Sequence, residues 1–248
     1  MSQKNGRGVF IVTGGSRGIG AAIARDAARA GYHVLLSYAG RADLANAVVD
    51  AIRSEGGHAD AVQADTGVTS DVVRLFTVAD QIGPLAALVY NGGIVGESSA
   101  LVDATDDLLQ KVVNVNLTGA LLCSREAVRR MSTATAGSGG SIVLISSRAA
   151  LYGAPGEHVW YAATKGGIDS LAVGLAREVA AQGIRVNAVS PGPIDTEIHV
   201  AGKLDRIASA LPMRRAGQPE EVSAAVMFLV SDSASYVAGA NIAVAGAR

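Results

Sequence analysis

The chain has 248 residues, of which 49% are hydrophobic and 17% charged, with a formal net charge of −1 at pH 7. That length accommodates one large α/β domain or two small ones and is ample for a buried core, and so apolar a composition excludes a disordered chain. Near-neutrality removes the long-range attraction that nucleic acid or an anionic lipid surface would need, and a single cysteine, Cys123, excludes an intrachain disulfide.

Residues 1 to 8 are polar, and no apolar run long enough to span a bilayer follows them. The sequence thus predicts a cytoplasmic protein with neither signal peptide nor membrane span. Short β-branched or apolar runs then alternate with alanine-rich stretches whose apolar residues recur every three or four positions. A strand is predicted over 8 to 13, a helix over 18 to 30, a strand over 33 to 38, a helix over 42 to 55 and a strand over 58 to 63. A helix over 70 to 81, a strand over 86 to 90, a long helix over 105 to 131 and a flexible loop over 132 to 141 come next. Strands over 140 to 146, 184 to 189 and 240 to 244 and helices over 160 to 181 and 219 to 230 complete the series, the last opened by Pro219, Glu220 and Glu221. Parallel strands need crossovers of about a dozen residues, which these helices supply. The predicted fold is a single doubly wound Rossmann-type α/β domain whose seven-stranded parallel sheet is flanked by helices on both faces. Residues 1 to 140 would form its cofactor half and residues 141 to 248 its catalytic and substrate half.

The first strand runs into Thr13, Gly14, Gly15, Ser16, Arg17, Gly18, Ile19 and Gly20. Glycines at 14, 18 and 20 let the backbone turn sharply, approach a pyrophosphate and pack the helix on the sheet, while the helix N-terminus favours anionic charge. A tight turn without a ligand is the bland alternative. A carboxylate about 20 residues on, at the end of the second strand, would select NAD by binding the ribose 2′-hydroxyl. Ser37 and Tyr38 stand there instead, Asp43 comes only in the next helix, and Arg17 and Arg41 flank the position. Two guanidinium groups without a carboxylate suit a 2′-phosphate, so NADP is preferred over NAD, although a single arginine is ordinarily only a solvated surface charge.

Tyr161 and Lys165 stand four apart at the start of a predicted helix, one turn apart on one face. An ammonium beside a phenol favours the phenolate and draws its pKa toward neutrality, where proton transfer is most effective. Ser147 ends the preceding strand, and Asn116 lies on an earlier helix. No Cys, His, Asp or Glu cluster has metal-ligand spacing, so no metal is expected. Ser147 has no GxSxG setting either, which disfavours a serine hydrolase.

The motifs TGGSRGIG at 13 to 20, Asp65 after the third strand, YNGG at 90 to 93, NVNLTG at 114 to 119, SS at 146 to 147, YAATK at 161 to 165 and SPGPIDT at 190 to 196 occur in that order. In this the chain resembles the short-chain dehydrogenase/reductase family over essentially its whole length. The resemblance implies hydride transfer between NADP(H) and a small carbonyl or secondary alcohol, with Tyr161 exchanging a proton with the substrate oxygen. It further implies that Lys165 binds the nicotinamide ribose and lowers the Tyr161 pKa, that Ser147 hydrogen-bonds the substrate oxygen and that Asn116 supports a relay water. Ser16, Arg17, Ile19, Tyr38 and Arg41 would join the glycines at the phosphates and adenosine. Asp65 would meet the adenine, Asn91 and Gly92 the adjacent ribose, and Pro191, Gly192 and Ile194 the nicotinamide carboxamide, with Thr66, Gly93 and Thr196 also among the cofactor-binding residues. The chain departs from the family pattern at Tyr90, usually Asn, at Gly92, often Ala, in one extra residue between Ser147 and Tyr161, and in its ending IAVAGAR.

Substrate choice is expected from 93 to 99, 148 to 160 and 193 to 215, with Arg148, Tyr152, His158, Trp160 and His199 as candidates and Trp160 foremost. The similarity is to glucose-dehydrogenase-like and 3-oxoacyl-reductase-like bacterial members, so sugar and 3-oxoacyl thioester substrates stay open. So does a catalytically silent nucleotide-binding regulator. A homo-oligomer, tetramer or dimer, is implied, joined through the helices at 105 to 131 and 160 to 181 by small residues such as Ala172 and Gly174.

Overall fold

A computed structural model describes residues 6–196 and 211–247. Its first half runs β1 (Val9–Val12), α1 (Gly18–Arg29), β2 (His33–Tyr38), α2 (Ala42–Ser54), β3 (His58–Gln63), α3 (Thr69–Ile82) and β4 (Leu85–Tyr90). Its second half runs α4 (Asp106–Val113), a π-helical segment Asn114–Thr118, α5 (Gly119–Met131), β5 (Gly140–Ile145), the short α6 (Ala149–Tyr152), α7 (Val159–Val179), β6 (Ile184–Pro191), α8 (Pro219–Val230) and β7 (Asn241–Val244). The strands pair in the order β3-β2-β1-β4-β5-β6-β7, each in parallel with its neighbours.

The strands are apolar on both faces because both faces are covered. In β1 the side chains of Phe10 and Val12 join α1, α2 and α8, whereas Val9 and Ile11 point to α3, α5 and α7. The order reverses between β1 and β4, so the crossovers leaving these strands diverge and open a crevice at their carboxyl ends. The expected fold class is thus the one observed. Pro219 occupies the first turn of α8, where Gln218 and Glu221 cap each other reciprocally.

Three expectations need correction. The helix foreseen over 105 to 131 is broken by the π-helical segment, in which the Gly119 N–H reaches the Asn114 carbonyl. One extra residue per turn leaves the apolar spacing almost intact, which is why periodicity reads straight through it. The loop after α5 is closed rather than slack, with the Gly139 N–H on the Met131 carbonyl at 2.7 Å and Ser132 Oγ on Gln182 Oε1 at 2.7 Å. Ala172, taken as a subunit contact, packs in this chain's own core, while Gly174 lies on the exposed face of α7. Among the described residues no helix is long and apolar enough to cross a membrane.

Candidate active site

β1 ends directly in the glycine turn. Gly14 and Gly18 have φ of +63° and +51°, conformations that side-chain-bearing residues rarely adopt. At Gly20 a Cβ would lie 2.6 Å from Asn91 Nδ2 and closer still to the Gly14 carbonyl. Arg17 stands at the N-cap of α1, its side chain makes no capping bond to the helix, and no acidic residue occupies the first turn, so the helix offers its positive end to an anion. This cradle, with no β-carbon at positions 14, 15, 18 and 20, fits a pyrophosphate. Gly20→Ala is expected to cost about 3 kcal/mol or more of stability, as overpacking against fixed backbone does, and to abolish dinucleotide binding; denaturant unfolding and NADPH titration check it.

The Asn91 side chain donates to the carbonyls of Thr13 and Gly14 at 3.1 Å each, and Thr13 Oγ1 accepts from the N–H groups of Asn91 and Gly92 at 3.0 and 2.9 Å. β4 is thereby stapled to the glycine turn, and the Asn91 amide holds the cradle's shape. Asp65 accepts the Gly67 N–H at 2.9 Å, and Asp65, Gly67, Asn114 and Val115 help line an open pocket beside the crevice. Thr196 reaches back to the same turn, its Cγ2 standing 3.1 Å from where a Gly18 Cβ would be. Gly192 donates its N–H to Val244 at 2.9 Å, and Ile194 is buried in a bridge to Gly217.

At the end of β2 the structure adds a carboxylate that sequence reasoning set aside. Arg41 Nε and Nη2 grip Asp43 at 2.8 and 2.6 Å, and this guanidinium holds the Asp43 carboxyl at about 2. Arg17 and Arg41 both remain exposed at the crevice rim beside Tyr38.

The four expected catalytic residues converge. Tyr161 and Lys165 share one face of α7, with Lys165 Nζ 5.6 Å from the centre of the Tyr161 ring. Ser147, just past β5, hydrogen-bonds the Tyr161 phenol and accepts the Ala149 N–H at 3.1 Å. Asn116 is fully buried, its amide exchanging two 2.8 Å hydrogen bonds with the backbone of Ile94 and donating to Thr164 Oγ1 at 3.2 Å. Thr164 in turn donates to the Tyr161 carbonyl at 2.7 Å. A Cβ on Gly93 would lie 3.4 Å from Asn116 Oδ1 and 3.5 Å from Lys165 Nζ, so Gly93 is the floor between them. The Asn116 side chain is thus fully engaged with protein and sets the position of both the loop after β4 and the YAATK turn.

Desolvation raises the Tyr161 pKa, opposed by the Ser147 hydrogen bond. The Lys165 ammonium turns to the Ile145 carbonyl at 2.7 Å, and burial brings it down to about 8. Asp169, one turn further along α7, was missed altogether. It accepts from Asn241 Nδ2 at 2.8 Å, and its negative charge favours the protonated lysine. Burial raises the Asp169 carboxyl, against hydrogen bonds from Ser146 and Asn241 and the charges of Lys165 and Arg148. Its only sequence signal is the spacing of four beyond Lys165, which is too common to stand out.

Trp160, foremost among the expected substrate contacts, is tied to the neighbouring loop. Only 5% exposed, it donates its indole N–H to the Val95 carbonyl at 2.9 Å and makes an edge contact with His158, so it anchors the loop after β4. Arg148 donates to Tyr152 Oη at 3.1 Å and lies over its ring. His199 and the stretch 197–210 lie outside the described residues. Among the described residues no three His, Cys, Asp or Glu side chains could hold a metal.

A glycine turn feeding α1 at the switch point of a parallel sheet, with a tyrosine and a lysine facing the crevice from the neighbouring strands' side, defines a Rossmann-type oxidoreductase. A family profile described as enoyl-(acyl carrier protein) reductase matches residues 14–246. The oxidoreductase YgfF of Escherichia coli K12 is 48% identical over 97% of this chain and 99% of its own length. A 3-oxoacyl-[acyl-carrier-protein] reductase of Synechocystis is 37% identical over 96% of this chain and 95% of its own. Among solved structures, a short chain dehydrogenase from Burkholderia cenocepacia in complex with NADP superposes with a TM-score of 0.91 at 33% identity, covering 97% of both chains. A blue fluorescent protein from a metagenomic library in complex with NADPH gives 0.91 at 33% identity over 99% of both. The chain belongs to the short-chain dehydrogenase/reductase family.

Proposed function

We propose that the protein reduces the carbonyl of a small substrate with NADPH and catalyses the alcohol oxidation in reverse. The convergence of Ser147, Tyr161, Lys165 and Asn116 beside a glycine cradle carries this reading. The cradle and the uncapped start of α1 would take the pyrophosphate, Arg17 and Arg41 the 2′-phosphate, and the pocket beside Asp65 the adenine. When bound, the nicotinamide supplies the hydride. Tyr161 gives its proton to the substrate oxygen, Ser147 hydrogen-bonds that oxygen as charge develops on it, and Lys165 helps return a proton to Tyr161 from solvent.

Two NADP-bound structural relatives and two exposed arginines support the cofactor choice. Arg17→Ala with Arg41→Ala is expected to raise KM for NADPH by about tenfold or more and leave that for NADH nearly unchanged, since each charge-assisted hydrogen bond is worth roughly 1.5–3 kcal/mol. Arg41→Ala alone should do less, because Asp43 already offsets that charge. Initial rates with both nicotinamides decide it, and a wild-type preference for NADH overturns the assignment.

Relatives named 3-oxoacyl-[acyl-carrier-protein] reductase favour a second reading, a 3-oxoacyl thioester substrate. A panel of small ketones and aldehydes, an acetoacetyl thioester, and glucose with NADP separates the substrate classes by kcat/KM. We also propose a homo-oligomer formed through the exposed faces of α5 and α7, where Leu121 and Val173 lie bare in the isolated chain. Light scattering showing a monomer at micromolar concentration would sink that part.

A further inference from the structure

We propose that Tyr90 is a positioning residue whose hydroxyl ties the loop after β3, at Thr66, to the π-helical segment that carries Asn116, so that the two sides of the crevice move together. Tyr90 ends β4 and is completely buried in a strand otherwise made of leucine, alanine and valine. A hydroxyl in such a place must find partners, and this one finds them on two segments distant in sequence. It lies 3.0 Å from Thr66 Oγ1 and donates to the Val115 carbonyl, inside the π-helical segment. A phenol has one proton, so with that proton on Val115 the Thr66 hydroxyl donates to Tyr90, and the bridge has a defined direction from the loop to the helix. Burial raises the phenol far above its ordinary value, which keeps the donor protonated at any working pH.

The surroundings are shaped to admit the bridge. A Cβ at Gly119 would overlap the Tyr90 hydroxyl and come within 2.7 Å of the Thr66 carbonyl. The Gly119 N–H is the group that closes the π turn on Asn114. One glycine therefore both makes the wide turn and leaves room for the ring that braces it. The next residue after Val115 is Asn116, whose amide locks Ile94 and Thr164, and Thr164 holds the Tyr161 carbonyl. A chain of hydrogen bonds and single peptide links thus runs from Thr66 through Tyr90, Val115, Asn116 and Thr164 to Tyr161. The residue after β4, Asn91, clamps the glycine turn, so adjacent positions serve both sides of the crevice. The functional half of this inference rests on Thr66 and Asn116 serving cofactor and proton transfer as proposed above, whereas the mechanical half stands without that reading.

Hydrogen exchange read by mass spectrometry tests both halves separately. Without cofactor, Tyr90→Phe should speed exchange of the amides at 114–119 by about tenfold, the loss of roughly one hydrogen bond, while amides of β4 and β5 keep their rates. Unchanged exchange at 114–119, or equal acceleration across the whole sheet, overturns the brace. With NADPH added, wild type should gain protection at 64–67 and 114–119 together, and the variant at 64–67 alone. Protection of both segments in the variant overturns the coupling. If NADPH protects neither segment in wild type, the cofactor assignment fails and the comparison without cofactor still decides the brace. Thr66→Val removes only the outer hydroxyl; it should leave 114–119 slow without cofactor yet abolish the transmitted protection, and it provides the test if Tyr90→Phe does not fold.

Discussion

Tyr161→Phe is expected to lower kcat by about 10³-fold while the dissociation constant for NADPH changes by less than about twofold. General acid catalysis by a positioned side chain contributes roughly 10²–10⁴-fold, and phenylalanine removes the transferable proton without removing the ring. The ring keeps its place near Lys165 Nζ, 5.6 Å from its centre, so the packing of α7 on the crevice is preserved. Ser147 loses its phenol partner but keeps the Ala149 N–H, which leaves it properly placed for a substrate oxygen. Steady-state rates on the best substrate of the panel, with fluorescence titration of NADPH, give the two numbers. A variant that turns over like wild type would remove Tyr161 from the chemistry. A wild type silent on every substrate, with a cellular effect that survives Tyr161→Phe, would make the protein a nucleotide-binding regulator instead.

Lys165→Met is expected to move stability and activity in opposite directions. Lys165 is 3% exposed, bonded to the Ile145 carbonyl, and among the described residues meets no carboxylate at ion-pair distance. Burial brings its pKa down to about 8 from 10.5, with Asp169 opposing the shift. Because the folded value lies below the unfolded one, the unfolded chain holds the additional proton between about pH 8 and 10.5. Stability therefore rises with pH through that window, and below pH 8 the buried charge costs the fold about 3 kcal/mol. Methionine has nearly the same volume and no charge, so at pH 7 the variant should be about 2–3 kcal/mol more stable, an increase in Tm of roughly 5–10 °C. The difference should close as pH approaches 10.5, while turnover falls by at least about 10²-fold throughout. Urea unfolding at pH 7 and pH 10 checks the sign. A less stable variant at pH 7 would mean that the bond to Ile145 outweighs the buried charge.

The parts of the fold that depend on spacing were legible in the chain itself. Strands flanked by alanine-rich helices, the glycines at 14, 18 and 20, and the Tyr161 and Lys165 pair all declare themselves by intervals that local geometry enforces. What escaped depends on contacts between distant residues or on small shifts in local geometry. The π turn adds one residue without breaking the apolar rhythm. The pairing of Arg41 with Asp43 is a rim contact that brings back a carboxylate set aside for its place in the next helix. Trp160 sits next to Tyr161 in sequence, yet successive residues on a helix point about 100° apart, and its face is the one that packs against Val95. Around Tyr161, proximity along a helix predicted the lysine's charge but not that a carbonyl of β5 would also hold its ammonium.

The layer formed by α1, α2 and α8 has a consequence for how the chain comes to be folded. Its core joins alanines of α1 to Val222, Val226 and Leu229 of α8, and Ser223 donates to Asp26 at 2.6 Å across 197 positions of sequence. The segment synthesised first is therefore sealed by one of the last. At 5–20 residues per second the apolar side of α1 waits roughly 10–40 s on the ribosome for its cover. Throughout that interval the nascent chain presents a bare alanine and isoleucine surface, the sort of client a holding chaperone recognises. A fragment that stops after β5 would keep the phosphate cradle and still lack the helix that closes its back.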